Sequence, residues 1–477
     1  KDDNPDASWV TLKLSPKDGL EENIPTNVKN STSFDYALME LLAPYQSVYK
    51  NDFDSLFIPY RCVTSDIIKK VEVVLDKGDL ATAIRASMSY PFYLKPVRID
   101  DVLLYDGGLY DNFPSKVLCN EFGPDIILGC NVSGNFPDPE EDNLISQVKV
   151  MLSNNQNYSI DCTDGVVVEP ELEVRNIFDF TNTKRIVEKG YEATLQKLPE
   201  IKAKIERRVP NDALITKRNN FRLENRDIVI DSVEINGLSS SQTEYVQAIM
   251  NRSAKSGKIS DLKRSVMRVT SEDYVNQVYP SLAYKPNTGK YLLELDMKEE
   301  KPLFLSFGGN IATSPINQGF AGIQYHLFSK TPIIIGANAY FGQFYTSGKA
   351  SVRFDFSATL PLYFEISGLL NKWDYFRNDE LILETNGPSY LVYKDSYFRY
   401  EFGLPINKYG KFSAGYSFGD LRNEYYQSND FTRFDTTDLT KFNNSHTYIQ
   451  FERNSFNRKQ YEDEGSRLYF KAALISG

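Results

Sequence analysis

From Phe304 onward the sequence alternates between apolar and polar residues, and this alternation constrains the fold more than any other feature. In the segment 352–360 every second residue is apolar. Around Arg399 and Glu401, four apolar residues would share the opposite side of an extended chain: Phe398, Tyr400, Phe402 and Leu404. We count about nine such segments, each with the period of two that defines a β-strand. The C-terminal part is therefore predicted to form a large antiparallel sheet.

Two kinds of antiparallel sheet alternate in this way, a soluble sandwich and a membrane-spanning β-barrel. Of the 63 aromatic residues, 37 lie in the last 177 residues, where a sandwich would leave too many of them in water. Barrels place such residues at the two membrane interfaces. We therefore predict an outer-membrane β-barrel over residues 301–477. It is expected to be incomplete, because closed single-chain barrels have an even number of strands.

The first 205 residues are predicted to form an α/β domain. Short apolar runs at 56–58 and 125–130 predict buried strands, and helices are expected at 36–42 and 183–198. The segment 206–226 is highly charged, which predicts a linker.

Residues 227–300 are predicted to form a small α+β unit. It begins with a strand at 228–235 and a turn at Asn236-Gly237. Helices near 240–250 and 271–278 and a strand at 291–297 follow. This order resembles a POTRA module, the periplasmic domain that precedes Omp85-family barrels. The resemblance implies an Omp85-type barrel and protein partners that bind through the module.

Charge and composition exclude several functions. The net charge of −10 argues against nucleic acid as a partner. With two histidines and no C-x-x-C pair, neither a metal site nor a cofactor is expected. The four cysteines are expected to be small buried residues, with one disulfide in an oxidising compartment as the alternative. The polar residues 1–4 carry no export signal, so any such signal is expected upstream of residue 1.

Asp106 is the candidate catalytic residue. Residues 102–105 predict a strand that ends at Asp106, and Gly107 and Gly108 permit a sharp turn after it. The carboxyl end of a strand is the usual position for a site in an α/β sheet. An isolated aspartate before two glycines could equally be a turn cap.

The surroundings of Asp106 carry two motifs, A-x-R-A-S-x-x-x-P at 83–91 and D-G-G-x-x-x-N-x-P at 106–114. Both resemble the later half of patatin-like phospholipase domains, and the resemblance covers roughly residues 30–200. It implies a lipolytic acyl hydrolase that acts on membrane lipids through a Ser–Asp dyad, with Asp106 as the base. Independently, both histidines, His326 and His446, lie in the predicted barrel, so the α/β region cannot hold a Ser-His-Asp triad.

The nucleophilic serine is not evident. Patatin-like domains carry it in a G-x-S-x-G elbow between a strand and a helix, and no such motif precedes Asp106. The one match, at 415–419, alternates like a barrel strand, so Ser417 is rejected. Ser87 and Ser89 lie near Asp106 in sequence, but Ser87 belongs to a helix expected to pack behind the site, so packing is the better explanation. We expect the elbow in an upstream segment, which would leave the α/β sheet incomplete here; the alternative is that the chain has lost it.

Three functions fit these predictions. The first is a lipase anchored in the bacterial outer membrane, with its patatin-like and POTRA-like domains in the periplasm. The second is an Omp85-type assembly or secretion protein whose patatin-like domain only binds. The third is an autotransporter whose barrel exports the lipase domain. A G-x-S-x-G elbow in the sequence upstream of residue 1 would support the first function, and its absence would support the second.

Overall fold

The computed structural model describes residues 7–16, 30–133, 141–143, 147–148, 150–151, 156–172, 182–206, 209–223, 227–254, 257–310, 317–356, 361–374, 392–406, 409–427, 436–457 and 463–477. Three predicted features lie partly or wholly outside this set: the polar start at 1–4, parts of the linker predicted at 206–226 and the end of the strand predicted at 352–360. The chain divides into two compact units, one with residues 1–24, 233–278 and 295–477 and the other with residues 25–232 and 279–294. The domain limits inferred from the sequence stay predictions.

The α/β region follows a first strand, β1, Ser8–Leu14. Its helices are α1 Thr32–Leu42, α2 Gln46–Tyr49, α3 Leu80–Ser87, α4 Ser115–Phe122, α5 Thr183–Lys204 and α6 Asn211–Leu223. Its strands are β2 Cys62–Asp66, β3 Val71–Leu75, β4 Val97–Ile99, β5 Val102–Asp106, β6 Ile126–Cys130 and β7 Asp164–Val168. These strands form an antiparallel sheet in the order β3-β2-β5-β4 and a parallel pair β6-β7.

Helix α3 shows why this region folds as it does. Asp79 caps its first turn by accepting a hydrogen bond from the N–H of Thr82 at 2.8 Å. Leu80 and Ala83 then face one hydrophobic cluster with Tyr49. Ala86, one turn further on, packs with Leu104 of β5 in a second cluster. The small residues of α3 thus allow the helix to lie close against the sheet that carries Asp106.

One prediction for this region is wrong. Residues 56–58 are not a strand but follow a 3-10 turn at Phe53–Ser55, which the Asp52 side chain caps. Ile58 is 71% exposed, so the apolar run is not buried. The linker predicted at 206–226 stays a prediction, and 211–223 within it is helical. Phe221 anchors that helix: its ring stacks on Tyr45 and also contacts the ring of Phe57, each at 5.6 Å. A single aromatic residue leaves little trace in a charged sequence.

The next segment has the order strand–helix–helix–strand–strand. Its elements are β8 Ile230–Asn236, α7 Ser240–Ala254, α8 Ile259–Thr270, β9 Val275–Lys285 and β10 Lys290–Glu299, with the strands ordered β8-β10-β9. The helix predicted at 271–278 is wrong. The helical periodicity lies earlier, where α8 buries Leu262, Val266 and Val269. The second half of the predicted position belongs to β9, which begins at Val275. The turn at Gly237 is present with a φ of 82°. The resemblance to a POTRA module stays a prediction.

The predicted antiparallel sheet is confirmed. Within the described chain it has ten strands, in which β1 is followed by β11 Leu303–Asn310, β12 Gln318–Leu327, β13 Ile333–Gly342, β14 Tyr345–Phe356, β15 Leu362–Asp374, β16 Val392–Pro405, β17 Gly410–Tyr425, β18 Asp438–Asn454 and β19 Arg467–Ser476. The pairing of β1 with β11 was not predicted, because the two strands are far apart in the sequence.

The side chains of this sheet are arranged opposite to those of a soluble protein. Phe398 and Phe402 on β16 are 56% and 52% exposed. On β17 the large residues Tyr416 and Phe418 are exposed, whereas Ser413 and Ser417 are buried. An apolar outer face over a polar inner face is typical of strands that meet lipid. No helix among the described residues has the length and apolar character to cross a membrane.

Candidate functional site

Asp106 is the last residue of β5, as predicted. It lies opposite Thr64 of β2, and its backbone N–H donates to the carbonyl of Ser89 at 3.2 Å. A single 3-10 turn, Gly107–Leu109, follows it. The Asp106 Oδ1 accepts the N–H of Gly108 at 2.8 Å, which directs the carboxylate over the start of the turn. The predicted turn and the predicted strand therefore meet at this aspartate.

Gly107 and Gly108 are each required for a different steric reason. A Cβ on Gly107 would lie 2.3 Å from the carbonyl oxygen of Val63 in the neighbouring strand. A Cβ on Gly108 would lie 2.6 Å from the Asn112 Oδ1. Since backbone cannot withdraw as a flexible side chain can, Gly107 is the stricter requirement. The turn therefore packs directly against β2, and this contact fixes the position of Asp106 relative to that strand.

Burial distinguishes the Asp106 carboxyl group from that of an exposed aspartate. Burial raises the pKa of its carboxyl group, and the hydrogen bond from Gly108 offsets part of that effect. Burial, together with the charge of Asp106, raises the pKa of the Tyr90 hydroxyl. Within the described chain, Gly108 is the one hydrogen-bond donor to this carboxylate. The second oxygen therefore remains available for a proton from another group.

Serines near Asp106 do not reach its carboxylate in the described structure. The Ser87 hydroxyl donates to the Val63 carbonyl at 2.6 Å, and the fully buried Ser89 donates to the Arg85 carbonyl at 2.9 Å. Ser65, which the sequence did not single out, is also fully buried and donates to the Gly107 carbonyl at 3.4 Å. All three bond to backbone, so they hold the site together and do not act as its nucleophile.

Arg85 is the residue that sequence reasoning missed. Its guanidinium is only 3% exposed and forms an ion pair with Asp35 of α1 at 2.7 Å. It also donates to the hydroxyls of Ser89 and Ser31, at 2.6 and 3.1 Å, and to the carbonyl of Lys95. Because the Ser89 carbonyl accepts the Asp106 N–H, this buried network is connected to the turn that carries Asp106. The signal in the sequence was an arginine within a run of small apolar residues.

Two of the four cysteines form a disulfide, Cys119–Cys162, with 6.4 Å between their Cα atoms. Cys62 is a buried free thiol, and Cys130 is an exposed one. The expectation of small buried residues is therefore correct for Cys62 and wrong for Cys130, and the alternative of one disulfide holds for Cys119 and Cys162. Sequence spacing alone could not show that α4 and the residues before β7 would meet. Among the described residues, no group of three or more His, Cys, Asp or Glu side chains could hold a metal ion.

Ser417 lies in the middle of β17, as its alternating neighbours predicted. It is paired with Arg399 on one side and His446 on the other, and a strand continues after it instead of a helix. No hydrogen bond joins Ser417 to His446 in the described structure. Its G-x-S-x-G motif therefore lacks the elbow geometry that exposes a nucleophile.

Comparisons with known proteins agree with the motif around Asp106. Residues 25–118 match the family described as patatin-like phospholipase. An uncharacterized NTE family protein of Mycobacterium bovis is 32% identical over 89 residues, which are 19% of this chain and 24% of that protein. A patatin-like phospholipase domain-containing protein of Caenorhabditis elegans is 37% identical over 81 residues, which are 17% of this chain and 6% of that protein.

The match with the Mycobacterium bovis protein spans 24% of that protein's length. A solved structure, BamA from Haemophilus ducreyi lacking POTRA domains 1–3, aligns with a TM-score of 0.38 and 15% identity, covering 53% of this chain and 49% of that one. The match of residues 25–118 to the patatin-like phospholipase family confirms the resemblance predicted from the two motifs over those residues, and its predicted extension to about residue 200 stays a prediction.

Proposed function

We propose that the chain belongs to an outer-membrane lipolytic acyl hydrolase in which Asp106 is the general base. The observation that carries the proposal is the half-buried Asp106 carboxylate, which has a raised pKa, one backbone donor and a free oxygen at the end of β5. Its nucleophilic partner would be a serine in a G-x-S-x-G elbow outside the present sequence.

The reaction would follow the chemistry of a Ser–Asp dyad. Asp106 accepts the serine proton as the serine oxygen attacks the ester carbonyl, and backbone N–H groups stabilise the resulting oxyanion. Collapse of this intermediate expels the alcohol, which takes the proton from Asp106 and leaves an acyl-serine. Water then attacks the acyl-serine while Asp106 again accepts and returns a proton, which releases the fatty acid.

The membrane location rests on the sheet β11–β19. Its exposed apolar face would contact lipid acyl chains, and its polar face would line the interior. The Cys119–Cys162 disulfide supports an oxidising compartment for the α/β region, as the periplasm is. Membrane lipids would then be close to the site, whereas protein partners of the segment 227–300 are inferred only from its resemblance to a POTRA module.

The test is hydrolysis of a short-chain p-nitrophenyl ester by the complete natural protein in detergent. We expect turnover in the wild type and an unchanged rate, within about twofold, in Ser417→Ala, because that serine lies outside the proposed site. An inactive wild type would favour the Omp85-type alternative, in which the patatin-like segment only binds. Loss of activity in Ser417→Ala would instead move the site to the sheet, beside His446.

A further inference from the structure

The segment 156–162 lies against the turn that carries Asp106. The Gln156 Oε1 accepts the backbone N–H of Asn112 at 2.8 Å, and the Gln156 Nε2 donates to the Leu109 carbonyl at 3.5 Å. The Asn112 Nδ2 donates to the Tyr158 hydroxyl at 3.3 Å. Leu109 and Asn112 both belong to the D-G-G-x-x-x-N motif, so one side chain, Gln156, bridges two points of the same turn.

A second set of contacts holds the segment 156–162 in place. The Ser115 hydroxyl, at the start of α4, donates to the Ser159 carbonyl at 3.1 Å. The Phe113 and Tyr158 rings lie 6.1 Å apart. The disulfide from Cys162 to Cys119 ties the end of the segment to α4. A short segment without a helix or strand of its own is therefore fixed by a covalent bond beside the site.

The contacts continue from this segment to the catalytic carboxylate. Asn112 lies so close to Gly108 that a Cβ there would meet its Oδ1 at 2.6 Å. The Gly108 N–H in turn donates to Asp106 at 2.8 Å. The Asn112 side chain therefore lies against Gly108, the one described donor to Asp106, so a displacement of Asn112 would change the packing around that donor.

We propose that the segment 156–162 is a positioning element for Asp106, with Gln156 and Tyr158 as positioning residues and the Cys119–Cys162 disulfide as their anchor. The catalytic part of this inference rests on the proposed function, because it assumes that Asp106 is the base. The positioning part does not, since it concerns only the order of the Gly108 amide.

The first test is hydrogen exchange, measured by mass spectrometry on the peptide 104–112 of the complete protein. In Gln156→Ala we expect exchange about fivefold faster than in the wild type, because the turn opens more often. Gln156→Glu keeps an acceptor for the Asn112 N–H and should restore most of the protection. Lys204→Ala is the control: it removes an exposed contact to Asp164, beyond the disulfide, and should leave this peptide unchanged.

The second test is kinetic. Gln156→Ala should lower kcat about tenfold with KM within about twofold, because a misplaced base affects the transition state more than binding. The double variant Cys119→Ser, Cys162→Ser should show the same fall in kcat with little change in KM. A variant that only lost thermal stability would not show this pattern. Unchanged exchange in Gln156→Ala would overturn the inference, even if the wild type is active. If Asp106→Asn is fully active, the proposed function fails, and the exchange data still decide whether the segment orders the turn.

Discussion

Replacement of Asp106 with asparagine is expected to lower kcat for ester hydrolysis by about a thousandfold or more, because an amide cannot accept the serine proton at neutral pH. The geometry should survive, since the side-chain oxygen of the substituted asparagine can still accept the Gly108 N–H that Asp106 accepts now. The loss would therefore report chemistry and not misfolding. Initial rates with a short-chain ester, at equal concentrations of folded protein, measure it.

The same substitution should not destabilise the fold. Burial raises the pKa of the Asp106 carboxyl group, so its ionised form is less favourable in the folded than in the unfolded chain at neutral pH. Asparagine removes that cost, and Tm at neutral pH should be equal or higher. The difference should vanish at acidic pH, where the carboxyl group is protonated in both states. Lower activity with unchanged or higher Tm is typical of a catalytic residue.

Asp111→Asn is the matched control for Asp106. This aspartate lies in the same motif, and its carboxylate accepts the Phe113 N–H at 3.2 Å, an interaction that asparagine can keep. Burial raises the pKa of Asp111 as well, so the two residues share an environment but not a position on β5. We expect near wild-type activity. Equal losses in both variants would contradict a specific role for Asp106.

The largest effect on stability is expected for Arg85→Met. Removal of the guanidinium would leave the buried Asp35 carboxylate without its ion-pair partner, which typically costs about 3–5 kcal/mol. Burial already raises the pKa of Asp35, and Arg85 partly offsets this effect. The ionised form of Asp35 therefore depends on Arg85. The hydroxyls of Ser31 and Ser89 would lose the same donor.

Cys62 offers a local readout of this loss. Its thiol is 2% exposed on β2, so it reacts with a thiol reagent only when the α/β region opens. In a Cys130→Ser background, which removes the exposed thiol, labelling should be much faster in Arg85→Met. Arg264→Ala, which removes an exposed ion pair with Asp261, should leave the labelling rate unchanged. If Cys62 is labelled as slowly in Arg85→Met as in the protein with Arg85, then the hydrogen-bond network of Arg85 does not hold the turn that carries Asp106.

Sequence reasoning succeeded where local chemistry decides the structure. The turn at Asp106 could be predicted because Gly107 and Gly108 have few alternatives. The strands β11–β19 could be predicted because a period of two is visible within one segment. Both signals lie within a few residues of the structure that they specify.

It failed where the decisive partner is distant in sequence. Arg85 meets Asp35 across 50 residues, and β1 meets β11 across nearly 300. The role of Gln156 depends on a disulfide that joins residues 43 positions apart. The sequence analysis also placed a helix at 271–278, directly after α8, and did not predict α8 itself. Tertiary contacts, not local preference, set these features.

The measurement that tests the central claim most directly is the pH dependence of kcat/KM in the complete protein. If Asp106 is the base, activity requires its ionised form and falls as pH drops through its pKa. Because burial raises that pKa, the acidic limb should lie above the ordinary aspartate value of 3.8. The residual activity of Asp106→Asn should show no such limb. An identical acidic limb in wild type and Asp106→Asn would contradict the assignment of Asp106 as the base.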